Sequence, residues 1–479
     1  MKILLINPPW PGKGYGTRSQ NRIIKQRADK FLQFPLYLGY TAAMVKKLGH
    51  EIFYIDSVVQ ELTEEGTNNR IKEIKPDVIL METTTPSIEY DYKYMSTMKE
   101  LTGAFIIATG THVSYFSKQA MQECKAIDMI IKGEYDTRVG EIFSNFENLE
   151  KVKGLVIRKK GKITDTGEAV LPTDLDFMPF PDRETIPIGW YGEAWYNKRP
   201  FINIMTSRGC PYQCTFCVYP NIFEGHKWRK RSIDNVIEEL KFVTEKYGVK
   251  EINIDDPTFN ITKERVMEFC NKLQQNNIQL LWTCNARVDN VDEEMLRAMR
   301  KSGCKMIRYG VESGSQEVLN KMKKGITIEQ IKKAFELTKK NGILALGGFM
   351  FGFPYDSRKT IEETLKLAKE LKPDLIQASI PMAYPGTPLY EEAKKEGKLA
   401  IKSWSDFDMT KGPIVKMVDV SKEELEAILN RVYKEFYFRP SFVVQTITHI
   451  RRPSDVTRIT RTFFSLVKTV RFYQKPQTC

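Results

Sequence analysis

The sequence predicts an α/β protein with an N-terminal doubly wound (Rossmann-like) domain, a partial (β/α)6 barrel and a helical C-terminal region. Three observations predict it. Short apolar runs alternate with helix-period segments twice along the chain, a proline-rich stretch separates the two series, and the second series holds six strand–helix units. At 479 residues the chain exceeds what one core supports. A hydrophobic content of 42% and a charged content of 28% are those of an ordinary folded protein and exclude extended disorder. The net charge of +13 favours an anionic partner or surface. MKILLINPPW lacks the apolar length of a signal peptide, and no apolar run reaches about 18 residues, so a cytoplasmic protein without a spanning helix is expected.

In the first series KILLI (2–6) reads as a strand ending at Asn7-Pro8-Pro9, followed by a Gly-rich basic loop to about Arg27. PLYLGYTAAMVKKLGH (35–50) has helical spacing and closes on Gly49. EIFYID (51–56), DVILMETTTP (77–86), AFIIATGTH (104–112) and DMIIKGE (128–134) read as further strands, with KYMSTMKELTG a helix among them. Nearly continuous apolar strands separated by helices indicate a parallel sheet covered on both faces, over residues 1–148. Such sheets bind ligands beyond the carboxyl ends of their strands. Those ends are Asn7-Pro8-Pro9, Glu82-Thr83-Thr84-Thr85, Thr109-Gly110-Thr111-His112 and Gly133-Glu134. Residues 149–198 read as a linker in a stretch with prolines at 172, 179, 181, 187 and 200, and VKGLVIRKKGKI reads as a hairpin within it.

The second series has strands FINIMTS (201–207), EINID (251–255), LLWTCN (280–285), KMIRYGVE (305–312), ALGGFMFG (345–352) and LIQASIPM (375–382). Six units fall short of a closed eight-stranded barrel, so residues 199–415 are expected to form an open one with its chemistry at the strand carboxyl ends. Residues 416–479 read as helical and basic.

Cys210, Cys214 and Cys217 of SRGCPYQCTFC follow the first strand of that barrel. The remaining cysteines, Cys124, Cys270, Cys284, Cys304 and Cys479, are scattered and read as buried free thiols. A structural zinc site takes four ligands. No second C-x-x-C pair is near and His226 stands alone, so zinc would need a distant ligand such as Cys284 or Cys304. A [4Fe–4S] cluster held by three thiolates leaves one iron open to a substrate or cofactor.

Cys-x3-Cys-x2-Cys with Phe216 before the last cysteine resembles the radical S-adenosylmethionine (SAM) superfamily. The resemblance implies that Cys210, Cys214 and Cys217 hold a [4Fe–4S] cluster whose fourth iron chelates SAM. Reductive cleavage of SAM then yields a 5′-deoxyadenosyl radical that abstracts hydrogen from an unactivated carbon. EINIDDPTFN resembles the second-strand motif and places Asp255 and Asp256 near the SAM amino group. IRYGVESGSQEVLNKMKKG resembles the fourth-strand signature, with Glu312 and Ser313 toward the ribose and methionine moiety and Arg308 toward the carboxylate. GGFMFGFP is similar to the fifth strand and implies backbone support of SAM at Gly348, whereas Phe349 and Phe351 read as barrel filling. Ala383-Tyr384-Pro385-Gly386-Thr387 is similar to the sixth-strand exit, and Phe216 and Tyr219 are candidates for the adenine.

The order of motifs in residues 1–148 resembles the cobalamin-binding branch of the superfamily; no G-x-G-x-x-G follows the first strand to favour a nucleotide. The implied cobalamin contacts are Asn7, Pro8, Pro9, Thr83, Thr84, Gly110, Thr111, His112, Gly133 and Glu134. None of His50, His112, His226 or His449 lies in an Asp-x-His-x-x-Gly motif. The resemblance therefore implies cobalt with neither the cofactor's own base nor a histidine beneath it, and a role for His112 at the corrin edge. The chain is similar to the subgroup containing the anaerobic magnesium-protoporphyrin cyclase and the radical proteins of hopanoid biosynthesis. The expected activity is methyl transfer to a lipid-like or other secondary-metabolite substrate. Radical cyclisation without methyl transfer and tRNA modification are the alternatives, and a flavodoxin or ferredoxin is the expected electron donor. The tail reads either as a basic helix packed on the barrel or as a peripheral membrane contact. In the second case Phe442, Val443, Val444, Ile447, Ile450, Phe463, Phe464, Leu466 and Val467 enter the headgroup boundary, and Arg451, Arg452, Arg458, Arg461 and Lys468 meet anionic lipid.

Overall fold

The computed structural model describes residues 1–12, 15–19, 32–192, 195–409, 411–417 and 419–439, with 442, 456, 457 and 460 beyond them. The strands are β1 (Lys2–Asn7), β2 (Glu51–Asp56), β3 (Val78–Thr83), β4 (Phe105–Gly110), β5 (Met129–Ile131), β6 (Leu155–Lys159), β7 (Lys162–Asp165), β8 (Phe201–Ile204), β9 (Ser207–Arg208), β10 (Arg229–Lys230), β11 (Glu251–Ile254), β12 (Leu281–Ala286), β13 (Cys304–Glu312), β14 (Leu344–Met350) and β15 (Leu375–Ser379).

The first sheet has the order β2-β1-β3-β4-β5-β6-β7. Its first five strands run parallel, with β1 pairing both β2 and β3. The winding reverses between β1 and β3, which sets the loops after Asn7 and Thr83 side by side at the point where such sheets bind ligands. Leu4, Leu5, Ile79, Leu80, Ile106 and Ile107 are fully buried, as a sheet covered on both faces requires. The hairpin expected in the linker belongs to this sheet. β6 pairs β5 antiparallel and β7 pairs β6, so the first unit runs past residue 148 to Asp165. Three-residue β5 would otherwise be an open edge, and the hairpin covers it.

The second sheet runs β8-β11-β12-β13-β14-β15 in sequence order with all pairs parallel, the open (β/α)6 barrel the spacing predicts. Its strands depart from the continuous apolar pattern of parallel sheets. Trp282, Cys284, Ile307, Tyr309, Ala345 and Phe349 face the helices and join one large core, with Phe351 just past β14 buried in it too. Residues of opposite parity, including Asn203, Asn253, Thr283, Asn285, Arg308, Gly310, Gly348 and Gln377, turn to the hollow side. A closed barrel fills its interior with branched apolar side chains. This one keeps a polar lining, and Asn285, Arg308, Gly348 and Gln377 stay partly exposed within it.

The free edge of β15 is covered by the helix Lys422–Tyr437. The Tyr433 hydroxyl accepts from Ala378 N and donates to Ala378 O, both at 3.1 Å. The Tyr437 hydroxyl does the same for Ile376 at 3.1 and 3.2 Å. Phe442 packs on Phe436 and Tyr437, so the start of the C-terminal region lies on the barrel rather than presenting Phe442 to a lipid surface. The other tail residues named for membrane contact lie outside the described residues, as does Cys479.

Candidate active site

The three clustered cysteines occupy a loop closed at its root by the two-residue ribbon β9–β10, whose strands pair antiparallel. Asp256, at the exit of β11, fixes that root: its carboxylate accepts from Thr206 N at 2.6 Å, Thr206 Oγ1 at 2.5 Å and Ser207 Oγ at 2.7 Å. Asp256 is thus consumed by the loop, while Asp255 turns into the barrel. Gly209 takes φ +77° directly beneath the Lys227 carbonyl, where any Cβ would collide, so glycine is required there. Thr215 N donates to Met322 O and Leu389 N to Thr215 O, both at 3.0 Å, which stitches the loop to the β13 and β15 exits.

Cys210, Cys214 and Cys217 are free thiols. Burial pushes the Cys214 thiol up and the Cys217 thiol up to about 12, the latter with added repulsion from its two neighbours. Lys324 and Arg287 oppose the rise at Cys214. One buried and two partly exposed thiols, with Lys324 and Arg287 near Cys214, form a donor set that gains by exchanging protons for iron. Among the described residues no three His, Cys, Asp or Glu side chains are placed to hold a single metal ion. Cys284 and Cys304, the distant ligands zinc would need, are buried together on the helix-covered face with Cys270. The residues fit a three-thiolate cluster, whose ligands bind separate irons.

Inside the barrel, Asp255 accepts from Asn203 Nδ2 at 2.9 Å and from Asn253 Nδ2 at 2.5 Å, and lies 3.8 Å from Arg308. Arg308 donates to Asn253 Oδ1 at 2.9 Å. The Asn203 Oδ1 and Arg308 Nε atoms are buried and have no hydrogen-bond partner in the protein. Nearer the mouth, Glu312 takes φ +66° and forms a buried ion pair with Lys324 at 2.8 Å. Burial acts to lower the Lys324 ammonium, but Glu312 and Cys214 hold it above its ordinary value. Gly310 and Gly348 are register partners. A Cβ at Gly310 would strike the Glu312 carboxylate, and one at Gly348 would meet only Tyr309 O at 3.5 Å and Gly310 Cα at 4.0 Å. Bare backbone, unmet polar atoms and opposite charges fit a zwitterionic cofactor such as SAM. Ser313 is not open to it. Its hydroxyl is 3.2 Å from Thr364 Oγ1 and accepts from Ser315 N at 3.1 Å within a turn. Phe216 packs edge-on against Phe353 at 5.5 Å, and Tyr219 begins the turn Tyr219–Phe223.

At the first sheet's edge much of the expected cobalamin set is engaged by the protein itself. Arg18, buried against Asp91 at 2.8 Å, donates to Asn7 Oδ1 and to the carbonyls of Pro8 and Pro9. Asn7 also donates to Asp56. Thr83 donates to Thr109 O at 2.8 Å, and Thr84 lies 3.2 Å from Ser87 Oγ. The Glu134 carboxylate is committed to Arg229 of β10, because two buried charges need each other. For these residues the structure replaces a side-chain ligand role by an anchoring one. Gly110 (φ +114°), Thr111 and Gly133 (φ +66°) remain as a small-residue cradle. His112 is buried, with Nδ1 3.3 Å from Thr85 Oγ1 and its ring against Phe116 and Trp404. Burial pushes its pKa down to about 3, so the ring is neutral, and its aromatic neighbours enclose it. The edge fits a large cofactor held by backbone and shape.

The edge also touches the barrel loop. A Cβ on Gly133 would sit 3.4 Å from Phe223 O, in the turn that opens two residues after Cys217. Tyr115 donates to Glu391 at 2.6 Å and packs on Tyr390. The sequence reading missed Asn203, Asn253, Lys324 and Arg287. The signal for the asparagines was present: polar residues at alternate positions of strands otherwise expected to be apolar throughout.

Residues 204–368 match the radical SAM superfamily, and residues 30–143 match the B12 binding domain. An uncharacterized methyltransferase of Pyrococcus horikoshii is 32% identical over 452 residues, covering 93% of this chain and 95% of that protein. The anaerobic magnesium-protoporphyrin IX monomethyl ester cyclase of Cereibacter sphaeroides is 26% identical, covering 85% of this chain and 67% of its own. In fold, the radical S-adenosylmethionine methyltransferase TsrM from Kitasatospora setae superposes with a TM-score of 0.72 at 14% identity over 98% of this chain and 99% of its own. The cobalamin-dependent S-adenosylmethionine radical enzyme OxsB gives 0.70 at 16% identity, over 98% of this chain and 71% of its own. The hollow barrel with its three-cysteine loop, the small-residue edge of the first sheet and these matches together place the chain in the radical SAM superfamily, as a cobalamin-dependent radical SAM enzyme.

Proposed function

We propose that this enzyme methylates an unactivated carbon of a small organic substrate. One observation carries the reading: the cradle of the first sheet abuts the turn that leaves the cysteine loop, so a group held at Gly110, Thr111 and Gly133 adjoins the mouth of the barrel. Relatives named as methyltransferases support it. They include the Pyrococcus protein and, at 23% identity, the cytidylyl-2-hydroxyethylphosphonate methyltransferase of Streptomyces wedmorensis. When bound, the cluster and SAM supply reductive cleavage of a sulfonium, and cobalamin supplies a transferable methyl group.

In this reading Cys210, Cys214 and Cys217 hold the cluster, and Asp255, Arg308 and Glu312 orient SAM over the bare backbone of Gly310 and Gly348. Phe216 and Tyr219 wall the adenine side. Lys324 and Arg287 would stand near the cluster, each already paired with a carboxylate, Glu312 and Asp289. Gly110, Thr111, His112 and Gly133 form the cobalamin edge. A substrate drawn from a bilayer is the finer form of the proposal. Among the described residues no helix is long and apolar enough to cross a membrane, and a peripheral contact would rest on the tail. The likeness to the magnesium-protoporphyrin cyclase favours radical cyclisation as the second reading.

Anaerobic reconstitution with iron, sulfide, cobalamin and SAM tests the reaction type before a substrate is known. Methyl transfer predicts both 5′-deoxyadenosine and S-adenosylhomocysteine. Reproducible formation of the first without the second counts against methyl transfer and favours cyclisation. Binding to anionic vesicles compared with tRNA at two salt concentrations separates the lipid-like substrate from the nucleic-acid alternative.

A further inference from the structure

Five buried charges join the two domains where their loops meet. Arg208, two residues before Cys210, forms a two-point pair with Asp136 at 2.6 and 3.3 Å. Arg229 pairs with Glu134 and donates to the Glu224 carbonyl at 3.0 Å. The Glu224 side chain is the hub. One oxygen accepts from Gly209 N at 2.6 Å, and the other accepts from the hydroxyl of Tyr37, on the helix Leu36–Lys47 of the first domain. That oxygen is also 3.9 Å from Arg208, whose guanidinium lies over the Tyr37 ring at 4.4 Å. Cys210 N donates to Gly225 O at 3.3 Å, which ties the first cluster cysteine to the residue after the hub. Tyr37, Glu134 and Asp136 are fully buried, and Arg208, Glu224 and Arg229 nearly so.

We propose that Glu224 is a positioning residue that locks the turn entering Cys210 to the first domain, so that the cluster loop and the Gly133–Asp136 loop order together. Each loop end carries a charge that is stable in the interior only while its counterpart stays in place. Gly209 carries the turn at φ +77°, where the Lys227 carbonyl leaves room for no Cβ, so only glycine presents its N–H to Glu224 there. A ligand that fixes one loop therefore spends less ordering entropy on the other, which is positive coupling without a shape change. The inference rests on the assignment of the two loops to cluster and cobalamin, and it adds that neither site is assembled independently.

The test is the cobalamin Kd of the full-length protein, measured by absorbance titration with hydroxocobalamin, with and without reconstituted cluster. The wild type is expected to bind about tenfold more tightly with the cluster in place, within the usual range of coupling between sites. Glu224→Ala is expected to bring the ratio close to one. Glu224→Gln, which can accept from Gly209 N and still meet the Tyr37 hydroxyl, is expected to restore most of it. Tyr37→Phe cuts only the tie to the first domain and is expected to fall between, which provides the readout should Glu224→Ala not fold. Glu251→Ala is the control. It breaks a comparably buried pair with Lys305 at the starts of β11 and β13, the ends of the strands opposite both loops. A ratio of one in the wild type, an unchanged ratio in Glu224→Ala and Tyr37→Phe, or an equal loss in Glu251→Ala overturns the clamp. Failure of the wild type to take up iron or cobalamin overturns the cofactor assignment beneath it.

Discussion

Cys270, Cys284 and Cys304 lie on the helix-covered side of the second sheet, and Cys210, Cys214 and Cys217 lie at the mouth of its hollow side. Both are trios of free thiols, and burial raises Cys270 and Cys217 alike to about 12. The surroundings separate them. Cys284 and Cys304 sit on strands among Trp282, Ile307 and Tyr309, in a core with no cation to balance a thiolate. Cys214 sits in a loop within the field of Lys324 and Arg287, on a backbone tied down at Thr206, Gly209 and Thr215. Thiol count and burial do not make a metal site; charge and an exposed concave setting do.

The largest test of that contrast is Cys214→Ala. Anaerobically reconstituted protein is expected to lose most of its iron and to form 5′-deoxyadenosine at background level, measured by iron analysis and chromatography. Full turnover in this variant would erase the distinction between the trios. Next is Lys324→Met, which leaves the Glu312 carboxylate buried without its cation. Removing one partner of a buried pair costs about 3 kcal/mol or more, so the denaturation midpoint is expected to fall accordingly. SAM affinity is expected to fall with it. An unchanged midpoint would mean that Glu312 is not held by Lys324.

Much of this was legible in the sequence because it depended on period and spacing. All eleven apolar runs assigned as strands hold strands, and their alternation with helices pointed to two parallel sheets, though not to the β2-β1-β3 order of the first. The hairpin was also visible, but its membership was not: whether β6 pairs with β5 or stands alone is a matter of which edge is free, and no local pattern records that. The cysteine loop was readable from its spacing. The cobalamin edge was less so. Glu134 and Asn7 stand at strand exits, where ligands bind, yet both are claimed by arginines 95 and 11 residues away. Such long-range pairing is invisible to position along a strand. Lys324 escaped for the same reason, since its partner Glu312 lies 12 residues back, beyond the helix Gln316–Lys321.

Gly348 tests the hollow face more finely. Its added Cβ would meet only ordinary contacts and its φ is unexceptional, so Gly348→Ala is expected to leave thermal stability unchanged. The methyl group would instead occupy space over the bare backbone. A SAM Kd raised about tenfold, equivalent to about 1.4 kcal/mol, is expected by equilibrium dialysis. Gly310→Ala makes the contrast, because its Cβ collides with Glu312 and stability should drop as well.

The smallest effect belongs to the helix-covered trio. Cys304→Ala removes one buried sulfur from contact with Cys284 and the surrounding apolar side chains. Loss of one heavy atom and the small cavity it leaves costs about 1 kcal/mol. The denaturation midpoint is therefore expected to shift slightly, while iron content and 5′-deoxyadenosine formation stay at wild-type levels. Iron loss in this variant, comparable to that in Cys214→Ala, would show that the two faces of the sheet share one metal site. Their separation by a layer of backbone hydrogen bonds between β12 and β13 argues that they do not.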